Sequence, residues 1–206
     1  MVRMFTYEDI KIETHPEVYD PAEDTFLLLK SIKIFNGSLV FEIGTGTGII
    51  ALFCAKHGAN VVCSDVNPFS IEIVKKNYKL NEPLLKGRLD IRMGDLYSVL
   101  ESDEIFDIII FNPPYLPTTS KDLVGGSGWF DKSVDGGVDG LNVIKRFLNG
   151  LPLFLKKNGK AYFMFSSLSD EKSLRKILDK NKLEFDVVAS QRFNDEILDV
   201  YCVWLK

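Results

Sequence analysis

Histidine and cysteine are scarce in this chain. Its 206 residues include two histidines and three cysteines. His15 and His57 stand far apart, and Cys54, Cys63 and Cys202 form no CxxC pair. A structural zinc site draws its ligands from close, repeated spacings, so none is expected here. Each cysteine sits in an apolar stretch and reads as a reduced, core-packed thiol. Long hydrophobic runs are also missing: none reaches the roughly 18–20 residues that cross a bilayer. Met1 to Glu8 lacks the basic-then-apolar layout of a secretory signal. The simplest reading is a cytoplasmic protein with no membrane partner. Excess basic charge is missing too. The net charge is −4, whereas a protein that grips a nucleic-acid backbone presents a basic face. Lysines such as Lys75–Lys76 and Lys156–Lys157 fall where a helix surface or end is solvated, so a nucleic-acid partner is not expected.

What is present is an ordinary globular composition, 46% hydrophobic and 26% charged, in a length that suits one α/β domain over 1–206. Short apolar runs alternate with amphipathic stretches. Leu39–Ile43 reads as a strand ending at a glycine-rich turn, and Ile49–His57 as a helix. Asn60–Ser64 is a second strand. Asn67-Pro68 then opens a helix over Phe69–Leu80, proline being favourable in a first turn. Arg88–Met93 is a shorter strand. Phe106–Phe111 is continuously apolar, as for a central parallel strand buried on both faces. A helix over Val138–Leu155 is expected to break near Pro152. Lys160–Phe165 is a strand and Asp170–Lys180 a helix. Glu184–Ser190 and Asp199–Leu205 are linked too tightly for a helix between them, so they pair antiparallel. The alternation predicts a mostly parallel sheet with helices on both faces, whose ligands bind at the carboxyl ends of the strands.

Three elements fall at such ends. The first is Phe41-Glu42-Ile43-Gly44-Thr45-Gly46-Thr47-Gly48, between a strand and a helix. Its glycines let the backbone turn tightly and approach a ligand, and the helix N-terminus attracts a carboxylate or phosphate. A dinucleotide fingerprint reads GxGxxG, but here Ile49 holds the place of the third glycine. Glu42 can pair with an ammonium group, which favours an amino-acid-bearing nucleotide over a pyrophosphate. The second element is Asp65, about 20 residues on, where a carboxylate accepts from both hydroxyls of a ribose. The third is Gly94-Asp95-Leu96, where Asp95 can accept from an adenine amine and Leu96 can cover the ring.

These spacings resemble those of the class I S-adenosylmethionine-dependent methyltransferases, along nearly the whole chain. The resemblance implies S-adenosyl-L-methionine as cofactor and a Rossmann-like sheet of seven strands with the last antiparallel. Gly44, Gly46, Glu42, Asp65, Asp95 and Leu96 are then expected at the cofactor.

Asn112-Pro113-Pro114-Tyr115 follows the apolar strand 106–111. It resembles the signature of methyltransferases acting on planar amino groups: adenine, guanine or the glutamine amide. The lone pair of such a nitrogen is delocalised and poorly nucleophilic. The Asn112 side-chain oxygen and the Pro113 carbonyl can each accept one of its N–H groups and aim the lone pair at the methyl group. The two prolines make the turn rigid, so the acceptors are preorganised, and close positioning supplies much of the rate. Tyr115 can pack on the planar target. Asn112 belongs to both the catalytic and the cofactor sets. No strong base is required, because the nitrogen becomes acidic as it gains the methyl.

That motif does not separate glutamine from a base. His15-Pro16-Glu17-Val18-Tyr19-Asp20-Pro21-Ala22-Glu23-Asp24-Thr25-Phe26-Leu27-Leu28 does more. It resembles the N-terminal segment of the short archaeal and eukaryotic branch of HemK-type glutamine methyltransferases, which modify the GGQ loop of class I translation termination (release) factors. The resemblance implies that residues 1–30 form a segment and helix over the cofactor site, with Tyr19 and Thr25 at the cofactor. The plain alternative for Asp24 or Thr25 is a helix cap, and both roles can hold together. The resemblance also covers Gly136-Gly137-Val138-Asp139-Gly140 and implies a small zinc-binding activator protein along the sheet edge, with Arg88–Met93 as the open strand. Bacterial members carry an extra N-terminal helical domain, for which only about fifteen residues stand here. The loop Leu116–Asp139 is long enough to be a lid or a docking segment. Methylation of an exocyclic base amine in RNA or DNA is the competing enzyme reading. A non-catalytic cofactor-binding protein and a nicotinamide oxidoreductase are the others.

Overall fold

The computed structural model describes residues 3–117, 128–193 and 195–206. The chain opens with a small antiparallel hairpin, β1 (Met4–Tyr7) and β2 (Ile10–Glu13), then α1 (Glu23–Ser31). It continues through β3 (Leu39–Ile43), α2 (Ile49–Lys56), β4 (Asn60–Asp65), α3 (Pro68–Asn81), β5 (Leu89–Met93) and β6 (Phe106–Phe111). The second half holds α4 (Trp129–Val134), α5 (Asn142–Phe154), β7 (Leu155–Ser166), α6 (Glu171–Lys180), β8 (Leu183–Phe193) and β9 (Glu196–Leu205).

Seven strands form one sheet in the order β5-β4-β3-β6-β7-β9-β8. Pairs from β5 through β7 are parallel, and β9 runs antiparallel to both neighbours. The expected Rossmann-like sheet with an antiparallel last strand is therefore the one observed. The chain steps outward from β3 to β4 and β5, then returns to place β6 on the other side of β3. That reversal opens a crevice at the carboxyl ends of β3 and β6. The register sets Ile43 beside Phe111, so the glycine loop and the Asn112 turn leave the sheet side by side.

Strand periodicity divides the core. Val40, Ile108, Ile110, Met164 and Val200 face one side with α1, α2 and the hairpin, while Phe41, Ile109, Phe111, Phe163 and Tyr201 face the other with α5 and α6. Alternate residues point to opposite faces and both faces are covered, which is why β6 reads as continuously apolar.

The structure corrects several boundaries. The helix expected from Val138 starts at Asn142, because Gly137 and Gly140 adopt φ of +79° and +70°, values that no right-handed helix allows. Pro152 does not break α5, which runs on to Phe154. Near the helix end the missing N–H withdraws one bond from a turn that is about to stop. β7 begins at once, five residues before the expected strand. The β1–β2 hairpin gave no sequence signal. Its two-residue turn, Glu8-Asp9, has positive φ at both positions without the usual Asn-Gly pair.

Two asparagines of α3 tie this hairpin down. Asn77 accepts the Glu13 N–H at 2.9 Å and donates to the carbonyls of Glu13 and Thr47 at 3.0 and 2.9 Å. Asn81 accepts the Lys11 N–H at 2.8 Å and donates to the Lys11 carbonyl at 2.7 Å. Four residues apart, they share one helix face and act as a surrogate strand for the free edge of β2. Asn67, at the α3 N-terminus, donates to the Glu17 carbonyl at 2.7 Å. The segment after β2 is thereby laid across the sheet's carboxyl end.

Candidate active site

A cavity of about 550 Å³ occupies the crevice. Tyr19, Thr25, Glu42, Gly44, Gly46, Asp65, Asp95, Leu96, Asn112, Pro113 and Tyr115 all line it, so folding brings every candidate residue to one place.

The glycine loop is shaped by backbone conformation. Gly44, Gly46 and Gly48 have φ of +64°, +55° and +84°, where a side chain is strained. A Cβ on Gly48 would also lie 3.0 Å from Val74. Asp65, at the end of β4, fixes the loop from the side. Its two carboxylate oxygens accept the Gly46 and Asn67 N–H groups, each at 2.9 Å. Burial raises the Asp65 carboxyl, and these same bonds pull it back.

Glu42 is 3% exposed. Thr45 donates its hydroxyl to the carboxyl at 2.6 Å. Burial pushes this carboxyl up to about 8, against that hydrogen bond. A buried acid on a cavity wall, short of counter-charge, fits an incoming cation. Asp95 is exposed and already paired: Arg146 reaches it at 2.5 Å. Arg146 also lines the cavity and gave no sequence signal, being one of many basic residues on a helix. Leu96 is 7% exposed, with φ of +50°.

Asp24 organises the chemistry end. It is 4% exposed and five hydrogen bonds converge on it. One oxygen accepts the Thr25 N–H at 2.6 Å, the Thr25 hydroxyl at 3.2 Å and the Tyr19 hydroxyl at 3.2 Å. The other accepts the Asn112 side-chain NH2 at 2.9 Å and the Tyr115 hydroxyl at 3.2 Å. The sequence offered only an acid near a helix start. Its partners lie up to 91 residues away. Asn112 Oδ1 is buried and has no hydrogen-bond partner among the described residues. An unpaired buried acceptor carries a desolvation cost that an incoming donor relieves. Burial, and then the Asp24 charge, raise the phenols of Tyr19 and Tyr115. Both therefore act as hydroxyl donors and not as bases.

The Asn112–Tyr115 turn is braced from behind. Ser169 donates to the Tyr115 carbonyl at 2.7 Å. Gly136 and Gly140 pack so closely that a Cβ on either would fall within 2.8 Å of Tyr115 backbone atoms. This explains the glycines of the 136–140 stretch, whereas Ser169 had no local pattern to reveal it. Glu196 lies near both tyrosines and accepts the Ser166 hydroxyl at 2.6 Å. Within the loop Leu116–Asp139, residues 118–127 lie outside the described residues. The remainder adds Trp129 and Lys132 to the cavity wall, the ammonium 4.3 Å from the indole centre.

These features fit S-adenosylmethionine: glycines where the backbone must approach a ligand, a buried acid for an amino group, and an unpaired acceptor at the far end. Residues 9–125 match the family described as Methyltransferase small domain. A putative protein N5-glutamine methyltransferase of Methanocaldococcus jannaschii is 38% identical over 198 residues, covering 96% of each chain. The human methyltransferase HEMK2 is 28% identical over 193 residues, 89% of this chain and 88% of its own. Among solved structures, the E. cuniculi Mtq2–Trm112 complex, responsible for methylation of the termination factor eRF1, matches with a TM-score of 0.70 at 22% identity, covering 92% of this chain and 99% of that one. The chain belongs to the methyltransferase small-domain family and, within it, to the HemK-type protein glutamine methyltransferases, which use S-adenosylmethionine.

Proposed function

We propose that the chain methylates the side-chain amide nitrogen of a glutamine in the GGQ loop of a class I translation termination factor, in the cytoplasm. The observation that carries this reading is the buried Asn112 oxygen, unpaired among the described residues, in a turn whose Asn112 and Pro113 both line the cavity. S-Adenosylmethionine supplies a methyl group activated by a sulfonium. Glu42 receives its ammonium, Asp65 its ribose, and Asp95 and Leu96 its adenine. Tyr19 and Thr25 close the cavity from above.

Asn112 and Pro113 each accept one N–H of the target amide. The remaining lone pair is thereby directed along the transfer axis, and the face of Tyr115 limits the tilt of the amide plane. The amide nitrogen would displace the thioether sulfur, which keeps the electron pair of the breaking S–C bond, and the nitrogen, acidic once methylated, would lose its proton to solvent. Positioning and fixed dipoles carry the rate, so a site without a base suffices.

The activator partner belongs to the same reading. β5 is an edge strand of the sheet, and Met93 at its end is 61% exposed. Such an edge accepts an added strand. The proposed occupant is a small zinc-binding protein; that the similar E. cuniculi Mtq2 was solved as a complex with Trm112 supports a partner chain here.

The test is transfer of labelled methyl to a purified class I termination factor, with and without the activator. Labelling that disappears when the GGQ glutamine is replaced by asparagine, and with Asn112→Ala enzyme, supports the proposal. Labelling of RNA or DNA instead, with the protein unlabelled, overturns the substrate and moves it to a base amine.

A further inference from the structure

We propose that Asp24 is the positioning residue that decides which end of the Asn112 amide faces the substrate. The inference rests on the reading above that the site holds a planar NH2 group.

An asparagine side chain has nearly the same shape whichever way its amide is turned. One orientation offers the site an acceptor, the other a donor. Only the first can bind a target NH2, and nothing within Asn112-Pro113-Pro114-Tyr115 selects it. The selection comes from α1. A carboxylate has no proton to donate, so whatever Asp24 touches must present an N–H or O–H. The Asn112 NH2 lies 2.9 Å from one Asp24 oxygen, and this leaves Oδ1 as the end turned away from Asp24, buried and unpaired among the described residues, on a side chain whose residue lines the cavity. Asp24 cannot readily rotate away, because its other oxygen is held by the Thr25 N–H at 2.6 Å and by two hydroxyls. The N-terminal segment thus orients the catalytic amide as well as covering the cavity.

Asp24→Asn separates this role from packing, since it changes the volume very little. The new amide would keep its oxygen toward the three donors on the Thr25 side. Its NH2 would then face the Asn112 NH2, donor against donor, and the Tyr115 hydroxyl, which can turn to accept from it. Asn112 must turn over to relieve the clash, and its own NH2 enters the cavity, where it repels the target. Asn112→Asp fails for the opposite reason, because two carboxylates then confront each other. Combining Asp24→Asn with Asn112→Asp restores a complementary pair. The amide introduced at position 24 donates to one oxygen of the carboxylate introduced at position 112, and the second oxygen of that carboxylate faces the substrate as an acceptor.

The experiment compares wild type, both single variants and the double variant. Asp24→Asn is expected to lower kcat about 10²-fold or more, the scale of losing one preorganised group, with cofactor Kd within about threefold. The double variant should recover at least about tenfold in kcat over either single, a non-additivity that a merely structural residue does not give. Asp24→Asn with kcat within threefold of wild type, or a double variant no better than the better single, overturns the proposal. A readout without substrate guards against misfolding and against a wrong acceptor. In ¹H–¹⁵N spectra the Asn112 side-chain NH2 should exchange slowly in wild type and faster in Asp24→Asn, and equal rates overturn it. If wild type labels only a base amine, the glutamine reading fails, and the same four enzymes compared on that acceptor still decide the role of Asp24.

Discussion

Replacing Glu42 by glutamine separates two effects of one buried acid. The carboxyl is 3% exposed and accepts the Thr45 hydroxyl at 2.6 Å. Glutamine keeps the shape and that acceptor, and removes the charge. Burial raises the group from 4.5 to about 8 in the folded chain. Between those values the folded state holds a proton that the unfolded chain has shed, so wild-type stability falls as pH rises across the window. At about 1.4 kcal/mol per pKa unit, the full penalty above pH 8 is about 5 kcal/mol, an upper bound. A glutamine at this position carries no such penalty. The advantage of Glu42→Gln over wild type, measured by urea unfolding without cofactor, should therefore grow by about 3 kcal/mol between about pH 5.5 and pH 8.5. The same variant should bind cofactor more weakly. Wild type should release up to about 0.9 proton on binding at pH 7, as an ammonium lowers the carboxyl. Calorimetry in two buffers of different ionisation enthalpy reads that release, and Glu42→Gln should show none. A stability difference that is flat with pH would refute the burial argument. Proton release unchanged in the variant would refute the pairing with an ammonium.

Gly140→Ala should cut methyl transfer at least about tenfold and lower stability by about 2 kcal/mol, because φ is +70° and the added carbon meets the Tyr115 carbonyl at 2.6 Å. Kinetics and thermal unfolding check it, and removing the Ser169 hydroxyl as well should not rescue it, since the backbone contact remains. Asn77→Ala strips three hydrogen bonds from the Glu13 backbone and the Thr47 carbonyl. It should cost about 2–4 kcal/mol in urea unfolding, against less than about 1 for Asn181→Ala, whose bond to Asn149 is exposed. A loss equal to that control would show that the hairpin is held by its apolar contacts instead.

Strand periodicity, the glycine loop and Asn112–Tyr115 were legible because each is a local rule. Alternation of apolar residues defines strands buried on both faces, alternate glycines mark a loop that bends back on itself, and two prolines after a strand fix a turn. The boundaries near Pro152 and Val138 were less legible. In sequence, a proline tolerated in a last turn reads like one that breaks a helix, and a glycine with positive φ reads like one inside a helix; only the folded backbone separates them. The hairpin was invisible for a similar reason. Its Glu8-Asp9 turn breaks the usual preference and is held by Asn77 and Asn81, more than 60 residues away in the chain.

By itself, then, the sequence determined the kind of sheet, the place where ligands meet it, and the residue types gathered there, since all three follow from patterns within a few residues. Only the tertiary structure decided how those residues face one another. The orientation of the Asn112 amide, the proton on Glu42 and the bracing of Tyr115 by Ser169 and Gly140 depend on distances between segments far apart in the chain. Hydrogen bonds and desolvation act over a few ångströms, and such distances exist only once the chain has folded.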